Sequence, residues 1–303
     1  MRVPLPRPFF PHQWKEYGRT VPEQVLERLQ GATMVLTNKV LLREPVLSQV
    51  PLLRLIALTS TGVDCVDLPY CRKRGIAVAN VPGYAQRSVA EHVFMLILAL
   101  RRRLTDLHQA VQTGRWQRSK SFALLDFSIR DLSGSTLGLI GYGDIARHVE
   151  ELAKAFGMAI LIAERKGAVQ VRPGRTLFED VLRRADIVSL HCPRTPETVG
   201  LVGAPELALM KKDALLINTA RGGLVDEIAL AEALRSGRLG GAGVDVLSEE
   251  PPRNGSPLLT AIPNLIVTPH VAWASEQAVT KLAEVVIGNL EAFVAGNPRN
   301  LVT

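Results

Sequence analysis

An α/β fold built on parallel sheets is the class this sequence predicts, and three observations carry it. Short apolar runs alternate with helix-spaced stretches along most of the chain, the pattern of strand–helix–strand units. The alternation comes in two series, separated by one long apolar helix and a more polar stretch. A glycine-rich turn, Gly141-Tyr142-Gly143-Asp144-Ile145-Ala146, sits between a strand and a helix at the head of the second series.

The first series starts after a proline-rich opening that carries no clean strand. Val25, Leu26 and Leu29 fall at helical spacing and predict a helix from Pro22 to Gln30. Strands are expected at Met34–Leu36, Leu53–Leu58 and Ile76–Ala79. Ser88 to Arg102 reads as a long helix, with Ser88 as N-cap and Glu91 as its capping-box partner. It is apolar on most sides, so it is expected to be buried. Leu104 to Arg130 is more polar, carries Trp116 and Phe122, and is a candidate surface for a partner subunit.

The second series predicts strands at Thr136–Ile140, Ala159–Ala163, Ile187–Leu190, Ala214–Ile217, Gly243–Val246 and Leu265–Val267. Helices are expected between them at Ile145–Phe156, Leu177–Arg184, Pro205–Met210 and Glu227–Ser236. That is the doubly wound, Rossmann-type pattern. A last helix, Ser275 to Ala295, returns toward the first series.

Bulk properties narrow the class. A chain of 303 residues, 47% hydrophobic and 21% charged, suits about two globular domains. The longest apolar run, Val93 to Leu100, falls short of the roughly 20 residues a membrane helix needs. Without a signal-peptide pattern either, the protein is expected to be soluble and cytoplasmic. Three cysteines without a CxxC pair, and six histidines without an HxxH or HExxH pattern, argue against disulfides and metal. The net charge of +7 raises the question of nucleic acid. Its densest cluster, Arg101-Arg102-Arg103, reads instead as the solvated end of the long helix, where cations suit the dipole.

The glycine turn points to a dinucleotide. Gly141 permits the tight turn, Gly143 lets backbone approach a pyrophosphate, and Ala146 lets the helix pack closely. Asp144 and Ile145 open the helix whose N–H groups would receive the phosphates. Glu164 follows Gly141 by 164 − 141 = 23 residues, at the end of the next strand. An acid there accepts from the adenosine ribose hydroxyls and repels a 2′-phosphate, which favours NAD (NADH). Arg165 and Lys166 directly follow and suit a 2′-phosphate, so NADP stays open.

Three charged residues each follow an apolar run: Arg221, Glu250 and His270. Groups at the carboxyl ends of neighbouring parallel strands converge on one crevice. A cation, a carboxylate and an imidazole gathered there can hold an anionic substrate and move a proton.

Longer stretches make the chain resemble the D-isomer-specific 2-hydroxyacid dehydrogenases. They include Ser60-Thr61-Gly62-Val63-Asp64, Asn80-Val81-Pro82-Gly83-Tyr84, Ser88-Val89-Ala90-Glu91-His92 and Gly138 to Met158. Leu190 to Thr198, Asn218 to Asp226, Asp245 to Pro252 and Thr268-Pro269-His270 extend the match to about residues 14–295. Trp14 to Thr20, Leu36 to Lys39 and Val271 to Ser275 look most like the glycerate dehydrogenase or hydroxypyruvate reductase branch.

The resemblance implies a Rossmann NAD-binding domain (85–275) inserted into a smaller flavodoxin-like substrate domain (1–84 and 276–303). The family opens with a hydrophobic strand, so the short proline-rich Met1 to Pro11 implies a missing or altered first strand. Arg221 would pair with the substrate carboxylate, shared with backbone N–H groups around Thr61, Gly62 and Val63. His270 would be the acid–base, with Glu250 on its ring; a carboxylate beside an imidazole favours the protonated form. Cys192 and Pro193 would border the adenine, and Thr198 joins the cofactor set. Thr219 and Ala220 would lie near the nicotinamide ribose, and Asp245 on the carboxamide. Trp273 would narrow the pocket toward a small 2-keto or 2-hydroxy acid, hydroxypyruvate or glyoxylate first. His92, His148 and His191 are taken as structural.

A homodimer through the nucleotide domain, without nucleic acid, membrane or metal, completes the expectation. Alternatives are 3-phosphoglycerate or a larger D-hydroxy acid as substrate, a preference for NADPH, and a dinucleotide-sensing corepressor. Glu250 disfavours formate dehydrogenase, where the resemblance implies glutamine.

Overall fold

The computed structural model describes residues 5–303. The chain divides into two compact units, Met1–Ala85 with Ala274–Thr303, and Gln86–Trp273.

The first unit contains α1 (Val25–Leu29), β1 (Met34–Thr37), α2 (Glu44–Leu47), β2 (Leu55–Leu58), α3 (Leu68–Arg74) and β3 (Ala77–Ala79). The strands form a parallel sheet in the order β1-β2-β3. Central β2 is Leu-Ile-Ala-Leu and buried throughout, as a parallel strand covered on both faces must be. α3 shows why its boundaries fall where they do. Asp67 caps it by accepting from the Tyr70 N–H at 3.1 Å, and Gly75 ends it at φ 68°. Residues 5–21 contain no strand. Leu5, Phe10 and Trp14 instead pack as side chains against a core that holds Leu55, Ala57 and Val286. Of the expectation of an altered first strand, Met1–Pro4 lie outside the described residues.

The second unit begins with α4 (Gln86–Arg101) and α5 (Leu104–Gln112). It continues through β4 (Thr136–Ile140), α6 (Asp144–Ala155), β5 (Ala159–Ile162), α7 (Phe178–Arg184), β6 (Ile187–Leu190) and α8 (Ala204–Leu209). It ends with β7 (Leu215–Asn218), α9 (Glu227–Arg235), β8 (Gly241–Val244) and β9 (Leu265–Val267). The six strands pair in parallel in the order β5-β4-β6-β7-β8-β9. The chain reverses direction across the sheet between β4 and β6, so a crevice opens beyond their carboxyl ends. α10 (Glu276–Val294) then returns to the first unit and packs on β2; Ser275 caps it by accepting from the Ala278 N–H at 3.2 Å.

Three local expectations need correction. Ser88 is not an N-cap. α4 starts at Gln86, and the Ser88 hydroxyl donates to the Ala272 carbonyl at 2.7 Å. The arginine cluster is not wholly solvated: Arg101 is only 6% exposed and reaches the Asp186 carbonyl at 3.3 Å. Burial pulls its pKa below the ordinary arginine value. Strand β8 covers Gly241–Val244, two residues before the expected start. Glycines there carry no apolar signal, yet Gly243 lets α4 approach: a Cβ on it would meet Leu96 Cβ at 2.9 Å.

No helix among the described residues is long and apolar enough to cross a membrane. Among them, no group of His, Cys, Asp and Glu is arranged to hold a metal ion.

Gly138, inside β4, faces α7 so closely that an added Cβ would lie 2.5 Å from Val181 Cγ1. Gly138→Ala is expected to cost about 1–3 kcal/mol through overpacking. Urea unfolding should show a lower midpoint at an unchanged slope.

Candidate active site

Arg221, Glu250 and His270 follow β7, β8 and β9, three neighbours in the sheet. The His270 ring meets Glu250 directly, Nδ1 to Oε2 at 2.6 Å. Glu250 is itself held, because its Oε1 accepts from the Leu247 N–H at 3.0 Å. Its neighbour Glu249 turns to the Asn254 side chain instead, at 3.0 Å. Arg221 is half-buried, and its Nη1 donates to the Ala220 carbonyl at 2.8 Å. Asn218 shapes that turn from both sides. Its amide donates to the Arg221 carbonyl at 3.0 Å and accepts from the Ala220 N–H at 3.1 Å.

Gly222 brings the two turns together. A Cβ there would run into the Leu247 carbonyl and lie 2.7 Å from the Ser248 nitrogen. Only a residue without a side chain lets the Arg221 turn rest on the turn that carries Glu250. Glu227 anchors the same turn from α9, accepting from the Ser248 N–H at 2.6 Å and the Ser256 hydroxyl at 2.5 Å.

His270 has a left-handed backbone, φ 55°, which is costly for a residue with a Cβ and persists only when its surroundings enforce it. Asp245 does much of the enforcing. Its carbonyl accepts from the His270 N–H at 2.9 Å. Its carboxylate, 1% exposed, accepts from the Val271 and Ala272 N–H groups at 3.0 and 2.9 Å and from the Thr268 hydroxyl at 2.5 Å. The Trp273 indole N–H adds a bond to the His270 carbonyl at 2.9 Å. These bonds place Asp245 beneath the loop that presents the imidazole.

His92 extends the network from α4. Its Nε2 lies 3.0 Å from the Thr268 hydroxyl and 3.5 Å from Asp245 Oδ1. The hydroxyl proton of Thr268 goes to Asp245, which assigns Nε2 as a donor. Burial lowers the His92 pKa, against an opposing pull from Asp245, and the ring serves as a hydrogen-bonding strut. Thr268, Asn218 and the bracing role of Ser88 are functional positions that sequence reasoning missed. One signal was present: Ser88 and His92 are four residues apart, on one helix face.

The glycine turn lies at the sheet's switch point. Gly141 has φ 86°, and a Cβ on it would meet Cys192 N and the His191 carbonyl carbon at 2.7 Å. Gly143 faces open space and caps α6 without a side chain, leaving first-turn N–H groups for an anion. Ile145 is half-buried against the core, and Asp144 accepts from the Gln86 amide at 3.1 Å. Thr219 Oγ1 is buried with no hydrogen-bond partner among the described residues. A cradle closed to side chains and an orphaned hydroxyl both fit a dinucleotide. On the same side, burial pushes the Cys192 thiol up and lowers the His191 pKa to about 4. Thr198 ties its own loop, donating to the Pro193 carbonyl at 2.7 Å.

Glu164 is more occupied than expected. Arg172 grips it with a two-pronged fork, Nε to Oε2 at 2.7 Å and Nη2 to Oε1 at 2.6 Å. That fork, helped by the Arg165 N–H, pulls its pKa down to about 2. Lys166 does not face the ribose acid; it pairs with Glu206 at 2.8 Å. Thr61, Gly62 and Val63 belong to the first unit, beyond the carboxyl end of β2. There the Thr61 hydroxyl donates to the Val81 carbonyl at 2.7 Å and the Ser60 hydroxyl to the Gly62 carbonyl at 2.7 Å.

The sequence profile described as D-isomer specific 2-hydroxyacid dehydrogenase, NAD binding domain, matches residues 94–272. The chain belongs to the D-isomer specific 2-hydroxyacid dehydrogenases. It is 48% identical over 295 residues to a glycerate dehydrogenase of Methylorubrum extorquens, covering 97% of this chain and 93% of that one. It is 35% identical to a hydroxypyruvate reductase of Blautia hydrogenotrophica, covering 92% and 88% of the two chains. A crystal structure of a Thermus thermophilus protein superposes with a TM-score of 0.85 at 39% identity, covering 94% and 91%. As a member of this family the protein is an NAD(P)-dependent oxidoreductase, with its NAD-binding domain in the second unit.

Asp245→Ala is expected to lower stability by at least about 2 kcal/mol, because it leaves several buried donors without an acceptor; chemical denaturation measures this. Gly222→Ala should reduce 2-hydroxy acid turnover by about tenfold or more, by parting the Arg221 turn from the Glu250 turn.

Proposed function

We propose that this enzyme reduces hydroxypyruvate or glyoxylate to D-glycerate or glycolate, with the reverse oxidation available. The observation that carries this reading is the His270–Glu250 pair at 2.6 Å on a sheet edge that also bears Arg221. The relatives named glycerate dehydrogenase and hydroxypyruvate reductase support the choice of acid.

Arg221 recognises the substrate carboxylate, the group that a guanidinium matches with two parallel N–H donors. We assign the N–H groups of Thr61, Gly62 and Val63 to substrate recognition as well. Glu250 occupies Nδ1 of His270, which leaves Nε2 to face the substrate. In reduction Nε2 gives its proton to the ketone oxygen; in oxidation it takes the hydroxyl proton back. Glu250, with Oε1 fixed by Leu247, holds the ring in place. A nicotinamide held there would supply or accept the hydride at the substrate carbon. Gly141, Gly143, Asp144 and Ile145 hold the pyrophosphate, Glu164 and Arg165 flank the adenosine ribose, and Cys192, Pro193 and Thr198 border the adenine. Thr219 and Ala220 serve the nicotinamide end, and the Asp245 carboxylate, buried and engaged by the loop after β9, supports that end from beneath. Trp273, tied by its indole to His270, restricts the pocket to small acids.

In this reading the first unit is the substrate domain and the second the dinucleotide domain. The protein works as a homodimer through the second unit. There the segment after α5 exposes Phe122 at 93% and Leu125 at 84%, together with Trp116 and Ile129. Apolar side chains exposed together are what a second copy would cover. All three cysteines are unpaired, which suits a reducing cytoplasm.

His270→Ala is expected to lower kcat for hydroxypyruvate reduction by about 10²–10⁴-fold, the usual worth of a positioned acid–base. Arg221→Ala should raise the KM for the keto acid and leave the Kd for NADH unchanged. Steady-state kinetics with hydroxypyruvate and glyoxylate test both. Full activity in His270→Ala, or no turnover of either acid by the wild type, would sink the assignment.

A further inference from the structure

The acid that follows β5 is the usual reason for a dinucleotide site to prefer a free ribose 2′-hydroxyl. It works by accepting from the ribose hydroxyls and by repelling a 2′-phosphate. In this chain both means are already engaged. Oε1 of Glu164 accepts from the Arg165 N–H at 2.9 Å and from Arg172 Nη2 at 2.6 Å. Oε2 accepts from Arg172 Nε at 2.7 Å and from the Arg172 N–H at 3.3 Å. The Glu164 side chain is 4% exposed, whereas that of Arg172 is 58% exposed. A guanidinium therefore covers the carboxylate and faces the solvent in its place.

The covering is built by the backbone. The Glu164 N–H donates to the Thr176 carbonyl at 2.8 Å, and the Thr176 N–H donates to the Ile162 carbonyl at 2.9 Å. Residues 165–175 thus leave and re-enter at the edge of β5, with Gly167 and Gly174 at φ 76° and 75° allowing the turns. Two more arginines lie at the base of this excursion. Arg165 is exposed beside the acid. Arg175 reaches the Ala163 carbonyl at 3.3 Å and stands 5.2 Å from the Tyr142 ring, inside the glycine turn. Three guanidinium groups and one carboxylate surround the place where the ribose belongs, and that carboxylate is paired.

We propose that Arg172 is the residue that sets dinucleotide choice, and that it makes this enzyme accept NADPH as well as NADH. Folded onto Glu164, it offers a cationic seat to a 2′-phosphate. Turned away into solvent, it uncovers the acid for the ribose hydroxyls of NADH. The proposal rests on the dinucleotide site described above, and it concerns only the adenosine end of that site.

The test is equilibrium binding of two half-ligands, adenosine 2′,5′-bisphosphate and AMP, by titration calorimetry, with kinetics as a second measure. Wild type is expected to bind the bisphosphate at least as tightly as AMP and to use NADPH within about tenfold of NADH in kcat/KM. Arg172→Ala should weaken the bisphosphate by about tenfold or more and leave AMP binding equal or tighter. Glu164→Gln is an independent variant; it removes the paired charge and should raise the bisphosphate-to-AMP affinity ratio. If AMP binds well but the bisphosphate binds far more weakly to wild type, and Arg172→Ala leaves that ratio unchanged, the proposal is wrong. If neither half-ligand binds, the dinucleotide site itself is misassigned and the proposal falls with it.

Discussion

The carboxylate of Asp245 is the contact on which the rest of the site depends. It is buried just beyond β8, and it collects the Thr268 hydroxyl and two successive N–H groups from the loop that follows β9. The backbone of His270 could not hold φ 55° without such support. The imidazole direction, its reach to Glu250 and the position of the Trp273 indole all follow from that loop. Ser88 and His92 brace it from the other side, both from α4. The geometry of the His270 loop is a property of this buried polar network, in which each member is satisfied by another.

A second constraint acts through absence of side chains. Gly141 lets the turn after β4 touch the segment after β6, and Gly222 lets the turn after β7 touch the turn after β8. The first contact closes a cradle at the head of α6; the second sets Arg221 close to the turn that carries Glu250. Both lie at the carboxyl ends of the sheet, where loops from parallel strands crowd together. Small residues at these two points decide how near the charged groups can stand.

Much of this was legible in the sequence because it is local. The glycine turn sits between a strand and a helix, and each charged residue follows an apolar run; both are patterns of adjacent residues. What was not legible depends on distant parts of the chain meeting. Ser88 looks like an N-cap by its spacing to Glu91, yet its hydroxyl serves Ala272, which folding brings beside it. Arg101 looks like a solvated helix end until Asp186 is found against it. Arg172 lies eight residues beyond Glu164 with nothing in the spacing to link them; a returning loop makes the pair. Gly222 reads as an ordinary turn glycine until the Leu247 carbonyl is placed beside it.

β9 is three residues long and forms the outer edge of its sheet, paired only with β8. Edge elements open more readily than the interior of a sheet. The imidazole is therefore mounted on the least secured strand, while the glycine turn is mounted on β4, one of the best secured. Local order in that loop and overall folding are separate quantities in such an arrangement. The loop after β9 can in such a sheet lose order while the interior strands stay paired. Asp245 and His92 act as rivets on that edge, tying the loop after β9 back to the end of β8 and to α4.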